Sequence, residues 1–373
     1  MTYAAITGWG KCMPPSVLSN ADLATIMETD DEWITTRTGI RERRVSHVTG
    51  TDLAWVASAR ALACAGLAAT DIELIVYGSC SNDEQIPNTA SGLQYKLGAT
   101  RAAPMDVNTA CTSFLYSLST ATAMIRTGVV KTALVVGVEV ITPFMDWSDR
   151  NVAVLFGDGA AAVVLQATDQ PEGVLGERLG CFADARQALR VRGTGLIYAN
   201  GAVHYGDTQW DFDGQEIFKR AVVGMSQASI EVLAKCGHTI DEVGLVVPHQ
   251  ANLRIIDFLA RRLGAPADKV FLTIQRYGNM SAATVPVALV EALEQNRVAP
   301  NSLVLTPAFG GGLTWCSHLI RWGERTTPKD STDIDLPAPT RTALEMVREF
   351  MARKGVAGRS SAGLGAPRFP ETA

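Results

Sequence analysis

Short runs of aliphatic, β-branched residues alternate along this chain with alanine-rich stretches of helical period, and no other feature narrows its fold so far. The segments Leu74-Ile75-Val76, Ala133-Leu134-Val135-Val136, Ala162-Val163-Val164-Leu165, Leu245-Val246-Val247 and Leu303-Val304-Leu305 read as buried strands. Strands that take turns with helices predict an α/β fold. The pattern also echoes itself at an offset of about 170 residues: Asp71-Ile-Glu-Leu-Ile-Val returns as Asp241-Glu-Val-Gly-Leu-Val-Val, and Ala133-Leu-Val-Val as Ser302-Leu-Val-Leu. On that offset Cys111 falls almost opposite Asn279. Taken alone, the echo is also open to chance likeness among valine-rich strands. As a duplication it divides the chain into halves 1–172 and 173–324, with matching strand-to-helix turns at a shared interface where ligand sites tend to form. Beyond Trp322, residues 325–339 read as a linker and Thr340 to Lys354 as one amphipathic helix with Leu344, Val347 and Phe350 on a common face. The composition after Gly355 predicts disorder, and the tail as a whole reads as a surface appendage or as a segment that docks on the body or on a partner.

With 373 residues, 47% of them hydrophobic, the chain can bury a core of that size. A net charge of −5 argues against general affinity for nucleic acid. No apolar run reaches the roughly 18 residues of a membrane span, and the N-terminus lacks a secretory pattern, so a cytoplasmic location is expected. The seven cysteines are scattered without paired or zinc-like spacing, which predicts neither a disulfide scaffold nor a metal site. Most should be small buried hydrophobes.

Four stretches carry chemistry. Cys111 lies where a strand turns into a buried helix marked by Phe114, Leu118, Ala121 and Ile125. The positive end of that helix should favour a thiolate and lower its pKa by about two units. Position alone leaves a nucleophile and a structural thiol equally open. His249 stands at a strand end in Pro248-His-Gln-Ala-Asn-Leu-Arg254; it could equally be a satisfied structural group. Asn279 precedes a helix and could be only its cap. Gly310-Gly311-Gly312 would let backbone amides point at a ligand, as an oxyanion hole requires, although a glycine run is a weak signal.

Together these stretches resemble the β-ketoacyl-[acyl-carrier-protein] synthase III family of the thiolase superfamily. The likeness spans residues 3–322. It runs through Asp31-Glu-Trp-Ile-Thr-Thr-Arg-Thr-Gly-Ile-Arg-Glu-Arg43, the Cys111 turn, Phe156-Gly-Asp-Gly159, the His249 stretch, Gly278-Asn279 with Ser281-Ala-Ala283, and Phe309-Gly-Gly-Gly312. The resemblance implies a thiolase-like fold: two duplicated βαβαβαββ halves in a layered αβαβα core. It implies Cys111, His249 and Asn279 as the catalytic triad and the backbone amides of Cys111 and Gly311 as the oxyanion hole. The implied reaction loads an acyl group from acyl-coenzyme A onto Cys111. Decarboxylation of a malonyl thioester then makes the carbanion that attacks it. Both thioesters are substrates, and no cofactor is called for. Trp33, Arg37 and Arg150 are implied in coenzyme A binding. Lys219, Arg220, Arg254, Arg261 and Arg262, with Lys269, are implied in docking acyl carrier protein, and the protein is implied to be a homodimer.

The sequence departs from the family pattern at Thr112-Ser113, where many relatives have Ala-Gly, and at Met280, usually Thr. Ile86 stands where acetyl-selective relatives carry a bulky Phe, which suggests a medium-length starter. Two rivals remain at this point: an acyltransferase serving a small oxygen or nitrogen nucleophile, and a non-catalytic partner subunit. A nicotinamide enzyme is set aside because no G-x-G-x-x-G follows the first strand.

Overall fold

Strand β1 (Tyr3–Cys12) opens the first half, pairing antiparallel with the last strand of that half. The computed structural model describes residues 2–194 and 208–360, with side chains to Arg353. In chain order the first half continues with α1 (Gly50–Ala65), β2 (Leu74–Gly78), α2 (Thr89–Leu97), β3 (Ala103–Val107), α3 (Ser113–Arg126), β4 (Thr132–Glu139) and β5 (Gly159–Thr168). The second half has β6 (Gly173–Cys181), α4 (Gly214–Cys236), β7 (Val243–Val246), α5 (Leu253–Leu263), α6 (Thr284–Glu294), β8 (Leu303–Gly310) and β9 (Thr314–Arg321).

Hydrogen bonding orders the strands β7-β8-β9-β6-β1-β5-β4-β2-β3, so residues before 173 occupy one side and those after it the other. A single parallel pair, Ala4 with Gly173, joins the two sets. The first half follows βαβαβαββ in full. In the second, the third strand shrinks to one bridge, Val246 with Val270, because a short turn at Ala267–Lys269 occupies the residues just before it.

Burial patterns explain the layers. Helices α3 and α6 lie in the middle, with Phe114, Leu118, Val287 and Leu289 in one core cluster that also takes in strand residues from both halves. Helix α1 covers the outer face of the first set, and α4 with α5 covers the outer face of the second. Glycine allows a close contact between these layers: a Cβ at Gly10 would stand 2.5 Å from the Ala57 carbonyl of α1. These layers, alternating helix and sheet, are those of a thiolase-like fold.

The tail differs from its expectation. Its connecting segment runs along the body, with the Lys329 amide donating to the Cys64 carbonyl at 3.1 Å and Ile334 and Leu336 packed on the outer cluster. Helix α7 (Ala343–Ser360) begins three residues later than the sequence suggests and continues past Gly355. Thr342 and Glu345 cap its start by exchanging hydrogen bonds, which sets the boundary at Thr342. Ala343, Met346 and Val347 are buried against the 141–156 segment, so this tail is docked. The rest of it, 361–373, lies outside the described residues. No helix among the described residues is long and apolar enough to cross a membrane.

Candidate active site

The loop from β3 to α3 places Cys111 at the joint between the halves. Ala110 adopts a φ of 51°, a conformation costly for a residue with a side chain, and the turn it makes aims Cys111 inward. The loop after β8 meets it from the other half. A Cβ on Gly310 would lie 2.7 Å from the Cys111 nitrogen, so only glycine lets the two backbones touch. The amides of Cys111 and Gly311 both reach the Cys111 sulfur.

His249 follows β7 and is 2% exposed. Its amide donates to the Pro307 carbonyl at 2.9 Å, and its Nδ1 lies 2.5 Å from the Thr284 hydroxyl. Burial pushes the imidazole down to about 3, so it is neutral at physiological pH. Asn279 is fixed through its backbone to Leu155 and Gly157 at 2.8 and 3.1 Å. Its carboxamide oxygen accepts the Ser281 amide at 2.8 Å, which leaves the NH₂ end for a ligand. Cys111, His249 and Asn279 line one cavity of about 420 Å³. A second cavity, of about 600 Å³, opens on the other side of the sulfur, with walls that include Phe144, Phe156 and Trp210.

The expected thiolate is not the resting form. Burial pushes the Cys111 thiol up to about 12, and the nearby Glu139 charge adds to this, while the Ser281 hydroxyl and the two amides pull the other way. The helix start is there, but loss of water around the sulfur outweighs it. Sequence reading also missed the groups behind the nucleophile. Glu139 is fully buried and accepts from the Ser81 hydroxyl at 2.5 Å, the Cys80 amide at 3.1 Å and the Cys80 thiol at 3.3 Å. A charged residue closing the apolar strand β4 was the available signal. Cys80 is exposed on the wall of the larger cavity and Cys181 is exposed as well, while Cys12, Cys64, Cys111 and Cys316 are buried, as expected of most of the seven.

Trp33 sits in the helix Asp31–Thr38, with the Arg37 and Arg150 guanidinium groups 4.5 and 4.9 Å from its ring centre. It borders the smaller cavity together with Arg37 and Arg254. Arg43, from the same stretch, is buried and ties Leu18, Asn20 and Val154 together.

Ile86 lines neither cavity of its own chain. Its side chain is 88% exposed, so the expected pocket role fails within one protomer. Arg37, Arg254 and Arg261 surround a shallow hollow of about 560 Å³ beside the exposed Phe258. Lys219 and Arg262 are exposed near it on α4 and α5. Arg220 is instead held by Asp184 and Glu216, each at 2.6 Å, and Lys269 donates to the carbonyls of Asp241 and Val243. Those two cations belong to the fold more than to the surface.

Solved structures place this architecture among the condensing enzymes of the thiolase fold. The 3-oxoacyl-[acyl-carrier-protein] synthase III of Aquifex aeolicus superposes with a TM-score of 0.80 at 40% identity, covering 86% of this chain and all of that one. The priming β-ketosynthase of the R1128 polyketide pathway superposes with a TM-score of 0.82 at 32% identity, covering 86% and 97%. Residues 105–182 match the family described as 3-oxoacyl-[acyl-carrier-protein] synthase III, and residues 233–322 match its C-terminal part. The β-ketoacyl-[acyl-carrier-protein] synthase III 2 of Vibrio cholerae is 50% identical over 345 residues, covering 92% of this chain and 95% of that one. The chain belongs to the β-ketoacyl-[acyl-carrier-protein] synthase III family and is an acyl-transferring condensing enzyme.

Proposed function

We infer that the chain joins an acyl group held on Cys111 to a carbanion made from malonyl-[acyl-carrier-protein]. The observation that carries this reading is the single cavity lined by Cys111, His249 and Asn279 beneath the Cys111 and Gly311 amides. In the first step the thiol of Cys111 attacks the acyl thioester carbonyl, its proton leaves with the coenzyme A sulfur, and the amides hold the tetrahedral oxyanion. A malonyl thioester then loses carbon dioxide. The enolate left on its thioester oxygen takes hydrogen bonds from neutral His249 and the Asn279 NH₂. Its carbon attacks acyl-Cys111, the bond from the acyl carbon to the Cys111 sulfur breaks, the expelled thiolate takes a proton from water, and the β-ketoacyl thioester departs.

Trp33 offers a face for the adenine of coenzyme A, with Arg37 and Arg150 beside it for phosphates. The hollow bordered by Arg37, Arg254 and Arg261, with Lys219 and Arg262 nearby, gives an acidic carrier protein a basic seat, to which Arg220 adds little. The larger cavity, walled by Phe144, Phe156 and Trp210, suits a starter longer than acetyl. Strand β3 is a sheet edge paired only with β2, and Tyr95 and Ile86 stand exposed near it. A second copy adding there would form the homodimer and carry Ile86 to the partner's acyl cavity. The unpaired cysteines fit the reducing cytoplasm.

The test is direct. The protein is mixed with coenzyme A thioesters from acetyl to dodecanoyl, acylation of Cys111 is read by intact mass and peptide mapping, and malonyl-carrier protein is then added. Medium-chain labelling at Cys111 that is cleared with carbon dioxide release is the expected result. Clearance by a small amine or alcohol without malonyl thioester would replace condensation with simple acyl transfer.

A further inference from the structure

Thr284 opens helix α6, is fully buried, and has its hydroxyl between two groups that want the same hydrogen. One is the Ser281 carbonyl at 2.9 Å, and the other is Nδ1 of His249 at 2.5 Å. A hydroxyl has one proton to donate. If it goes to Ser281, the ring proton must sit on Nδ1, and Nε2 turns a lone pair toward the cavity. If it goes to His249, Nδ1 is the acceptor and Nε2 carries the proton. These choices are not equivalent for an enolate. A lone pair facing the developing oxyanion repels it, whereas an N–H stabilises it. A ring held neutral cannot escape the choice by carrying both protons. The shorter contact is the one to His249.

We propose that Thr284 is a positioning residue that donates its hydroxyl hydrogen to Nδ1 of His249, holding the ring in place with its Nε2–H directed at the thioester oxygen. The hydroxyl comes from the turn that follows Asn279. The two groups proposed for the enolate are therefore aligned by one short segment: Asn279 through the Ser281 amide, and His249 through Thr284. The inference rests on the role given above to His249.

Its test uses the full chain, with Thr284→Val removing the hydroxyl at nearly constant shape and Thr284→Ser restoring it. The position of the ring proton is read from nitrogen-15 shifts at neutral pH, assigned by their loss in His249→Ala. Malonyl-carrier protein decarboxylation and Cys111 acylation are measured separately. The wild type and Thr284→Ser should show Nε2–H and turnover within about twofold of each other. Thr284→Val should lose about tenfold or more in kcat for decarboxylation, with KM unchanged and Cys111 still acylated, as expected when a catalytic group is misaligned. A wild-type ring protonated at Nδ1 overturns the proposal even if Thr284→Val fails to fold, and so does a folded Thr284→Val with wild-type shifts and kcat. Absence of decarboxylation in the wild type would instead overturn the functional reading itself.

Discussion

The two halves of this molecule share a scaffold but hold their functional groups in opposite ways. The first half presents one reactive atom, the Cys111 sulfur, on a loop whose backbone is strained at Ala110. The second presents groups that neither ionise nor react covalently, each braced by hydrogen bonds: His249 to Pro307 and Thr284, and Asn279 to Leu155, Gly157 and Ser281. On the proposed reading, the difference divides the chemistry between covalent capture on one side and charge stabilisation on the other.

Separating the two sides experimentally should give the largest effect. Cys111→Ala should reduce condensation by about a thousandfold or more, since no other group takes the acyl chain. It should still release carbon dioxide from malonyl-carrier protein, because His249 and Asn279 remain; loss of both activities would break the proposed division. Asn279→Ala attacks the other side. Condensation should fall about a hundredfold, by analogy with removal of one oxyanion donor, while Cys111 acylation seen by mass persists. Slower acylation would show that the halves do not act separately.

Two smaller effects sharpen the contrast. Gly310→Ala forces a Cβ against the Cys111 backbone and should cost about 1–3 kcal/mol, seen as a lower Tm, with slower acylation. Acid should also act mainly through the second half, where His249 and His318 are both held down to about 3 by burial. Between pH 6.5 and 3 the unfolded chain binds protons that these native imidazoles refuse. Stability therefore falls as pH drops through that window, by up to about 1.4 kcal/mol per pH unit for each group. Asp158, pushed up to about 6 by burial, and Glu139, also pushed up by burial, work in the opposite sense and offset part of the loss. Denaturant midpoints at pH 7 and 5 should show the loss, and His318→Asn should lessen it.

Much of this was legible in the residues. The alternation of Val-rich runs with alanine helices marked the layers, and Asp71 and Asp241 each stand just ahead of a strand of the sheet. Cys111, His249 and Asn279 stood out through the family resemblance, since a strand end or helix start by itself left each equally open to a structural role. What stayed hidden depends on distance in space. Glu139 looks like the end of a strand until folding surrounds it with Ser81 and Cys80. Thr284 looks like an ordinary helix residue until its hydroxyl meets His249. The helix start beside Cys111 was visible, but the dehydration that outweighs it was not. Lys269 and Arg220 counted as surface charge only because their partners at Asp241, Val243, Asp184 and Glu216 were out of view.

The sulfur of Cys111 stands at the wall common to two separate hollows. On the proposed reading, the acyl chain and the carrier that delivers it therefore contact different walls around one sulfur. On that reading, Phe144 and Trp210, which line only the larger cavity, can change to suit a different acyl chain without touching Trp33 and Arg254, which line the smaller one and not the larger. An enzyme built this way can change its product while keeping its supplier.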